Sequence, residues 1–276
     1  MKLSLMSYTF SRQNWMKNGQ FDLAGMCRVG QELKLDGVDM VTTHKLDPKI
    51  SRQVLADHGL KTVCYTFFPA LNKPSAAERA AGVDAVKAGL DTALVLGTDK
   101  VMIVTPGHAS MPRDITRRYW IRGLQESAGL ARAVGITLTI ENFPGLHSPF
   151  AISSDILEAI REVPELKLTF DNGNAQIGGE APAISFLRCR EHVVHAHFKD
   201  WHRSDDPQAN EGLDGIRYRP GLIGQGVVEQ RACLQAMKQS GYTGHINIEY
   251  EGSELPPDEA TRQAVKYLHG LMSELN

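Results

Sequence analysis

Two histidines spaced two apart inside an apolar run are the first residues of this sequence with evident chemistry. Val193-Val194-His195-Ala196-His197-Phe198 opens directly into Lys199, Asp200, Trp201, His202 and Arg203. Side chains of an extended strand alternate between faces, so His195 and His197 share one face, opposite Val194, Ala196 and Phe198. Other stretches end in the same manner. Ile136-Thr137-Leu138-Thr139-Ile140-Glu141 separates an apolar face from one carrying Thr137, Thr139 and Glu141, and the same split pairs Thr169 with Asp171 and Asn247 with Glu249. Three carboxylates gathered in a partly dry site would repel and shift toward their protonated form, and a divalent cation keeps them ionised. Glu141, Asp171, His197 and Glu249 are therefore the expected ligands of one divalent metal ion. The oxygen-rich set favours Mn²⁺, Mg²⁺ or Co²⁺ and is compatible with Zn²⁺. His195, one layer deeper, reads as a core histidine hydrogen-bonded to neighbouring strands and stays outside that shell.

Bringing these groups together requires a particular architecture. Apolar runs of strand length recur at residues 2–6, 38–41, 61–65, 100–104, 136–141, 167–171, in the His195 run and at 245–249, with helical segments between them. Asp47-Pro48 is an N-cap followed by proline at the first helical position, Ser75-Ala76-Ala77-Glu78 is a capping box, and Gly59, Gly97 and Gly135 stand where helices should stop. Eight strand–helix units in about 250 residues make an α/β fold, a (β/α)8 TIM barrel, whose working groups gather at the C-terminal ends of the strands. A doubly wound open sheet competes, but the glycine-rich turn expected after its first strand is missing. With no linker or composition shift, residues 1–276 read as one domain. The longest irregular segment, about 200–226, is the expected active-site loop, and it could close over a ligand with Trp201.

Composition limits the partners. Thirty Lys and Arg against 32 Asp and Glu give a net charge of -2, which supplies no electrostatic reason for nucleic acid or an anionic membrane surface. A small molecule is the expected partner, and the sequence leaves room for a homo-oligomer. Cys27, Cys64, Cys189 and Cys233 are scattered, matching neither a metal-binding pair nor a secreted disulfide framework. They read as free thiols. With no signal-peptide pattern and no apolar run of membrane-spanning length, the expectation is a cytoplasmic protein.

Taken together, Thr139-Ile140-Glu141-Asn142, Thr169-Phe170-Asp171-Asn172-Gly173-Asn174, His195-Ala196-His197-Phe198-Lys199-Asp200 and Asn247-Ile248-Glu249-Tyr250-Glu251-Gly252 resemble the xylose isomerase-like TIM barrel superfamily. Within it the likeness is to the sugar isomerase/epimerase branch, which includes ketose 3-epimerases, inosose dehydratases and endonuclease IV. The resemblance implies a divalent-metal-dependent isomerase or epimerase acting on a ketose or keto-sugar by proton abstraction through an enediolate. Glu141 and Glu249 would then serve both as metal ligands and as catalytic acid and base. Arg203 stands six residues past the ligand histidine, where ketose 3-epimerases place a substrate-binding arginine. Asn174 stands where the same enzymes carry a histidine, which opens the alternative of a dehydratase or lyase on a keto-sugar or inosose. An endonuclease IV-like phosphodiesterase lacks a ligand for the same reason, and a binding barrel without activity is disfavoured by the intact ligand set.

Lys199, Asp200, Arg203, Trp201, Asn174 and His147 are the candidates for holding the sugar, His147 because it follows Glu141 closely. His44 and His108 occupy other strand-end loops. Tyr8, Phe10, Tyr65, Phe67 and Trp120 are candidate pocket walls. Gly224-Gln225-Gly226 before a helix could cradle a phosphate, although a plain turn explains it equally, and Arg217 and Arg219 are equally consistent with a solvated loop.

Overall fold

Helix starts and stops follow local chemistry. Asp47 accepts from the amides of Lys49 and Ile50 and starts the helix Pro48–Asp57. Ser75 and Glu78 form a reciprocal capping box on the helix Ala76–Leu96, which ends at Gly97 in the left-handed conformation (φ 78°), where a side chain would be strained. The computed structural model describes residues 1–275; the last residue of the single domain expected over 1–276 lies outside them.

The eight principal strands, numbered β1 to β8 in chain order, are Lys2–Met6, Gly37–Val41, Lys61–Phe67, Lys100–Ile103, Thr137–Glu141, Lys167–Asp171, Val193–Phe198 and His245–Ile248. Each pairs in parallel with its chain neighbours, and β1 pairs with both β2 and β8, closing a barrel. The fold is the TIM barrel expected from the sequence, with strand limits shifted by no more than two residues. Outward faces such as Leu138, Ile140, Leu168 and Phe170 are buried in the helical layer and form the main apolar core.

The barrel interior departs from the usual filling of branched apolar side chains. Ser4, Asp39, Thr139, Thr169, His195 and Asn247 are all fully buried. Burial of such groups is tolerable only with partners. Thr139 Oγ1 lies 2.8 Å from Thr169 Oγ1 and donates to the Val101 carbonyl at 3.0 Å, and Asn247 Nδ2 donates to the Leu5 carbonyl at 2.6 Å. These bonds tie β4 to β5 to β6 and β8 to β1 beneath the mouth.

Several elements were not anticipated. A short hairpin, Met16–Lys17 with Gln20–Phe21, turns at Asn18 and Gly19, both at positive φ. Asn-Gly is the strongest short-range hairpin signal, so this one was legible. A six-residue helix, Asn172–Ile177, follows β6 directly. The larger correction concerns residues 200–226, expected as an irregular loop. Strands Asp200–Arg203, Asn210–Glu211 and Arg217–Gly221 make a three-stranded antiparallel sheet there, packed over Ile177, Trp201, Tyr218 and Val228.

Asp200 organises that excursion. Its carboxylate, 1% exposed, accepts hydrogen bonds from the amides of Trp201, Gly224, Gly226 and Val228 at 2.8–3.1 Å. In the candidate phosphate cradle Gly224-Gln225-Gly226, the amides of Gly224 and Gly226 are thus directed at an internal carboxylate, and the Gln225 amide donates to the Leu222 carbonyl. Replacing Asp200 by Ala leaves four amides without their acceptor, and we expect a loss of about 3 kcal/mol of unfolding free energy in urea titration. An unchanged midpoint and slope would show that those amides have other partners.

Candidate metal centre

Consecutive strands carry the four expected ligands to one place. Glu141 ends β5, Asp171 ends β6, His197 lies one residue from the end of β7, and Glu249 follows β8. Pairing sets Asp171 level with His197 and Asn247 level with His197, so Glu249 stands two residues further toward the mouth. One ligating atom from each of the four lies within 4.8 Å of every other. His197 Nδ1 is 2.7 Å from Glu141 Oε1 and 3.5 Å from Glu249 Oε2.

All four are buried, and opposing influences act on the protonation of Glu249, Asp171 and His197. Burial pushes Glu249 up to about 7, with Glu251 and Glu141 adding repulsion and the Lys199 ammonium opposing it. Burial likewise raises Asp171 well above the ordinary carboxylate range, against the pull of Lys199. Burial alone would lower His197, but hydrogen bonds to Asp39 and Glu141 and the surrounding negative charge hold it well above an ordinary histidine. Among the described residues, Asp171 Oδ2 and Glu249 Oε2 are buried without a hydrogen-bond partner. Two carboxylate oxygens that accept no hydrogen bond and have only the Lys199 ammonium as counter-charge beside them, with an imidazole nitrogen and a third carboxylate, are a donor set that fits a divalent cation.

Lys199 shares this ground. Its ammonium, buried at the end of β7, lies 2.6 Å from Glu251 Oε1, 3.1 Å from Glu249 Oε2 and 3.4 Å from Asp171 Oδ2. Burial works against its charge, yet the surrounding carboxylates hold its pKa well above the usual lysine range. Amides beside the ligands fix the strand ends. Asn142 exchanges two hydrogen bonds with the Asp171 backbone at 2.7 and 2.8 Å, copying a ladder step from β5 to β6. Asn172 accepts from the Lys199 amide and donates to Gln230, which in turn donates to the Lys199 carbonyl.

The centre floors a cavity of about 170 Å³ that is also lined by Met6, Tyr8, Val41, Phe68, Met102, Val104, Phe143, Pro144 and Glu251. That is below the roughly 300–1,000 Å³ of pockets for drug-sized ligands and has room for a small molecule only. Of the candidate sugar-holding residues, Lys199 alone lines it. Asp200 and Trp201 belong to the buried underside of the three-stranded sheet. Arg203 is exposed and lines a separate surface groove with Asp205 and Arg217. His147 is exposed on the loop after β5. Asn174 is fully buried; its backbone amide donates to Asp171 Oδ1 at 2.6 Å, and its side-chain amide has no hydrogen-bond partner among the described residues.

Of the candidate wall aromatics, Tyr8 lines the cavity, whereas Phe10, Tyr65, Phe67 and Trp120 are packed in the core. Phe68 and Phe143 take the wall positions instead. His44 stacks on Phe21 with ring centroids 4.2 Å apart, and burial pushes its pKa down to about 4. His108 bonds to Ser110 on the surface. Two residues near the centre went unanticipated. Glu251 contacts Lys199, and Asp39 on β2 contacts both histidines. A single carboxylate in the middle of Val38-Asp39-Met40 is the same signal that marked strands β5 to β8.

Residues 28–271 match the family model described as xylose isomerase-like TIM barrel. An inosose dehydratase of Lacticaseibacillus casei is 27% identical over 158 residues, 55% of this chain and 53% of that protein. The chain thus spans about half the length of that curated relative. D-psicose 3-epimerase of Clostridium cellulolyticum H10, solved with D-tagatose, superposes with a TM-score of 0.79 at 12% identity over 99% of both chains. The IolI protein, solved with a bound zinc atom, superposes with a TM-score of 0.80 at 16% identity, covering 100% of this chain and 99% of that one. Likeness at these identities is a likeness of fold. Among the described residues no helix is long and apolar enough to cross a membrane.

Lys199 supplies the positive charge nearest Asp171 and Glu249. Lys199→Met should therefore cost the chelator-treated protein about 3–5 kcal/mol, the scale of stranding buried charge. Saturating Mn²⁺ should raise the melting temperature of this variant by more than it raises that of wild type. Equal melting temperatures of variant and wild type without metal would contradict this.

Proposed function

The chain belongs to the xylose isomerase-like TIM barrel family, and we propose that it breaks a carbon–hydrogen bond beside the carbonyl of a small keto-sugar or keto-polyol, using one divalent cation held by Glu141, Asp171, His197 and Glu249. The observation that carries this reading is the arc of ligands from β5 to β8, with a carboxylate at each end and a small cavity above. The zinc bound by the IolI protein supports the metal, and the similarity to D-psicose 3-epimerase and inosose dehydratase supports the substrate class.

When bound, the cation would act as a Lewis acid toward adjacent carbonyl and hydroxyl oxygens. The chain's own residues account for the proton. Glu249, beside Lys199, takes the proton from the carbon on one face, and Glu141 at the other end of the arc returns one from the opposite face, which inverts that centre. Return to the neighbouring carbon gives aldose–ketose isomerisation. The apolar wall of Met6, Val41, Met102, Val104 and Phe143 excludes water from the side away from the ligands. Epimerisation or isomerisation of a ketose is the first reading.

A second reading, dehydration, is favoured by Lys199. With Glu249 as base, an ammonium 3.1 Å away can protonate a departing β-hydroxyl. The carbon–hydrogen electrons then form the new double bond, the carbon–oxygen bond breaks, and water leaves. The exposed position of Arg203, and Asn174 in place of the histidine that ketose 3-epimerases carry, leave this chain without two features expected of such an enzyme, and the inosose dehydratase match points the same way.

Incubating the metal-loaded protein with ketoses, inososes and keto-glycosides in deuterated water should give deuterium at the carbon next to the carbonyl. A product otherwise unchanged in mass identifies epimerisation or isomerisation, and one lighter by a water identifies dehydration. Glu141→Gln and Glu249→Gln should each slow turnover by about 10²–10⁴-fold, the range for losing a general acid or base. Wild-type rates in both variants would sink the proposal.

A further inference from the structure

Below the ligands, Asp39 of β2 and His195 of β7 form a second cluster with the ligand His197, and the proposed reaction leaves Asp39 and His195 without a role. These strands are not paired neighbours: β1 and β8 stand between them around the barrel. Asp39 Oδ2 lies 2.6 Å from His195 Nε2 and 3.0 Å from His197 Nε2, with all three side chains buried. The two imidazole rings are perpendicular, 5.2 Å between centroids, so both can present Nε2 to the same oxygen. Strand geometry around them is irregular. The β2–β3 pairing shifts register between Val38 and Asp39, and the β6–β7 pairing shifts between Leu168 and Thr169, opposite His195. Such irregularities re-aim side chains.

We infer that Asp39 is the positioning residue of the metal centre: it accepts the Nε2 proton of His197 and so leaves Nδ1 as the ligand nitrogen, while His195 holds Asp39 in place. The inference rests on the metal reading above. Nδ1 of His197 is the nitrogen that faces Glu141 and Glu249, and Nε2 faces away from them toward Asp39. An imidazole can offer a lone pair at one nitrogen only when its proton sits on the other, and a carboxylate at that second nitrogen fixes both tautomer and ring direction. His195 is suited to a supporting part. Asp39 Oδ2 can only accept, so the Nε2 proton of His195 is directed at it, while its Nδ1 has no partner among the described residues. A carboxylate reaching across a barrel from β2 could otherwise swing. The second imidazole restricts it to one rotamer and supplies part of the charge-assisted bonding that makes its burial tolerable.

Two measurements test this. Zinc affinity by calorimetry, after chelation and dialysis, should fall about 10–100-fold in Asp39→Asn, the usual effect of removing a carboxylate behind a ligating histidine. His195→Gln should fall less. In the wild-type protein with isotope-labelled histidine and bound cadmium, heteronuclear NMR should place the metal on His197 Nδ1 and the proton on Nε2. The spectrum decides the matter even if Asp39→Asn fails to fold, because a purely structural Asp39 would leave the tautomer unspecified. Cadmium on Nε2, or wild-type affinity in a folded Asp39→Asn, overturns the inference and leaves the metal reading intact. Absence of any divalent-cation binding by wild type overturns both. A second equivalent of zinc that disappears in His195→Gln also overturns it, by making the cluster a metal site in its own right.

Discussion

Negative charge held out of water at the barrel mouth is the constraint on which the rest of this structure depends. Asp171, Glu249 and Glu141 are gathered where solvent cannot screen them, and each buried carboxylate costs several kcal/mol unless opposite charge or hydrogen bonds compensate. His197 and Lys199 supply that charge from the same strand, one below the carboxylates and one beside them. Two cations and four acids, counting Glu251, leave the ring under-compensated. The unsatisfied oxygens of Asp171 and Glu249 mark where the deficit is concentrated.

Such a ring is useful only if its geometry is held, and the chain holds it from three directions. Beneath, the Thr139–Thr169 contact and the Asn247 bonds make the barrel interior a hydrogen-bonded layer in place of an oily one. Sideways, Asn142 and Asn172, each following a ligand, bind the next strand's backbone where the ladder would otherwise end. Above, the three-stranded sheet anchored by Asp200 buries Trp201 against the short helix that begins at Asn172. Gly173 is required there. A Cβ would meet Lys199 Cγ at 2.4 Å and the Trp201 indole nitrogen at 2.9 Å, so the helix after β6 can approach the end of β7 only without a side chain.

The parts of this arrangement that the sequence disclosed are those governed by period. Alternation along a strand assigns faces without knowledge of partners, which is why Glu141, Asp171, His197 and Glu249 could be read as converging. Caps are equally local, and Asp47, Ser75 and Glu78 do what their positions imply. What period cannot supply is the partner of a buried group across space. His195 was assigned to the core correctly in kind, but its partner is Asp39 of β2, with β8 and β1 between, and not a residue of an adjoining strand. Residues 200–226 were obscured for a related reason. Glycine and proline signal interruption of regular structure, while the sheet there depends on one carboxylate satisfying amides up to 28 residues away. Asp200 follows the His197 strand, Trp201 belongs to a loop that could close and Arg203 has the family spacing, yet none of these local signals shows that the sheet turns Asp200 and Trp201 inward and carries Arg203 to a separate surface groove.

The cavity itself is divided by strand. Ionic groups come from β5 to β8 and the segments just beyond them, whereas Met6, Val41, Met102 and Val104 come from β1, β2, β4 and the residue after β4. A ligand that satisfies both halves needs oxygens crowded along one edge and carbon on the other. The keto-polyol proposed above meets that requirement with hydroxyls on one edge and a carbon skeleton on the other. The division also separates requirements for folding from those for chemistry. The apolar half is continuous with the packing that any barrel needs, and the ionic half adds a cost that His197 and Lys199 offset only in part. Stability and function therefore meet at Lys199, which belongs to the ring by charge and to the strand network through its backbone bonds to Asn172 and Gln230.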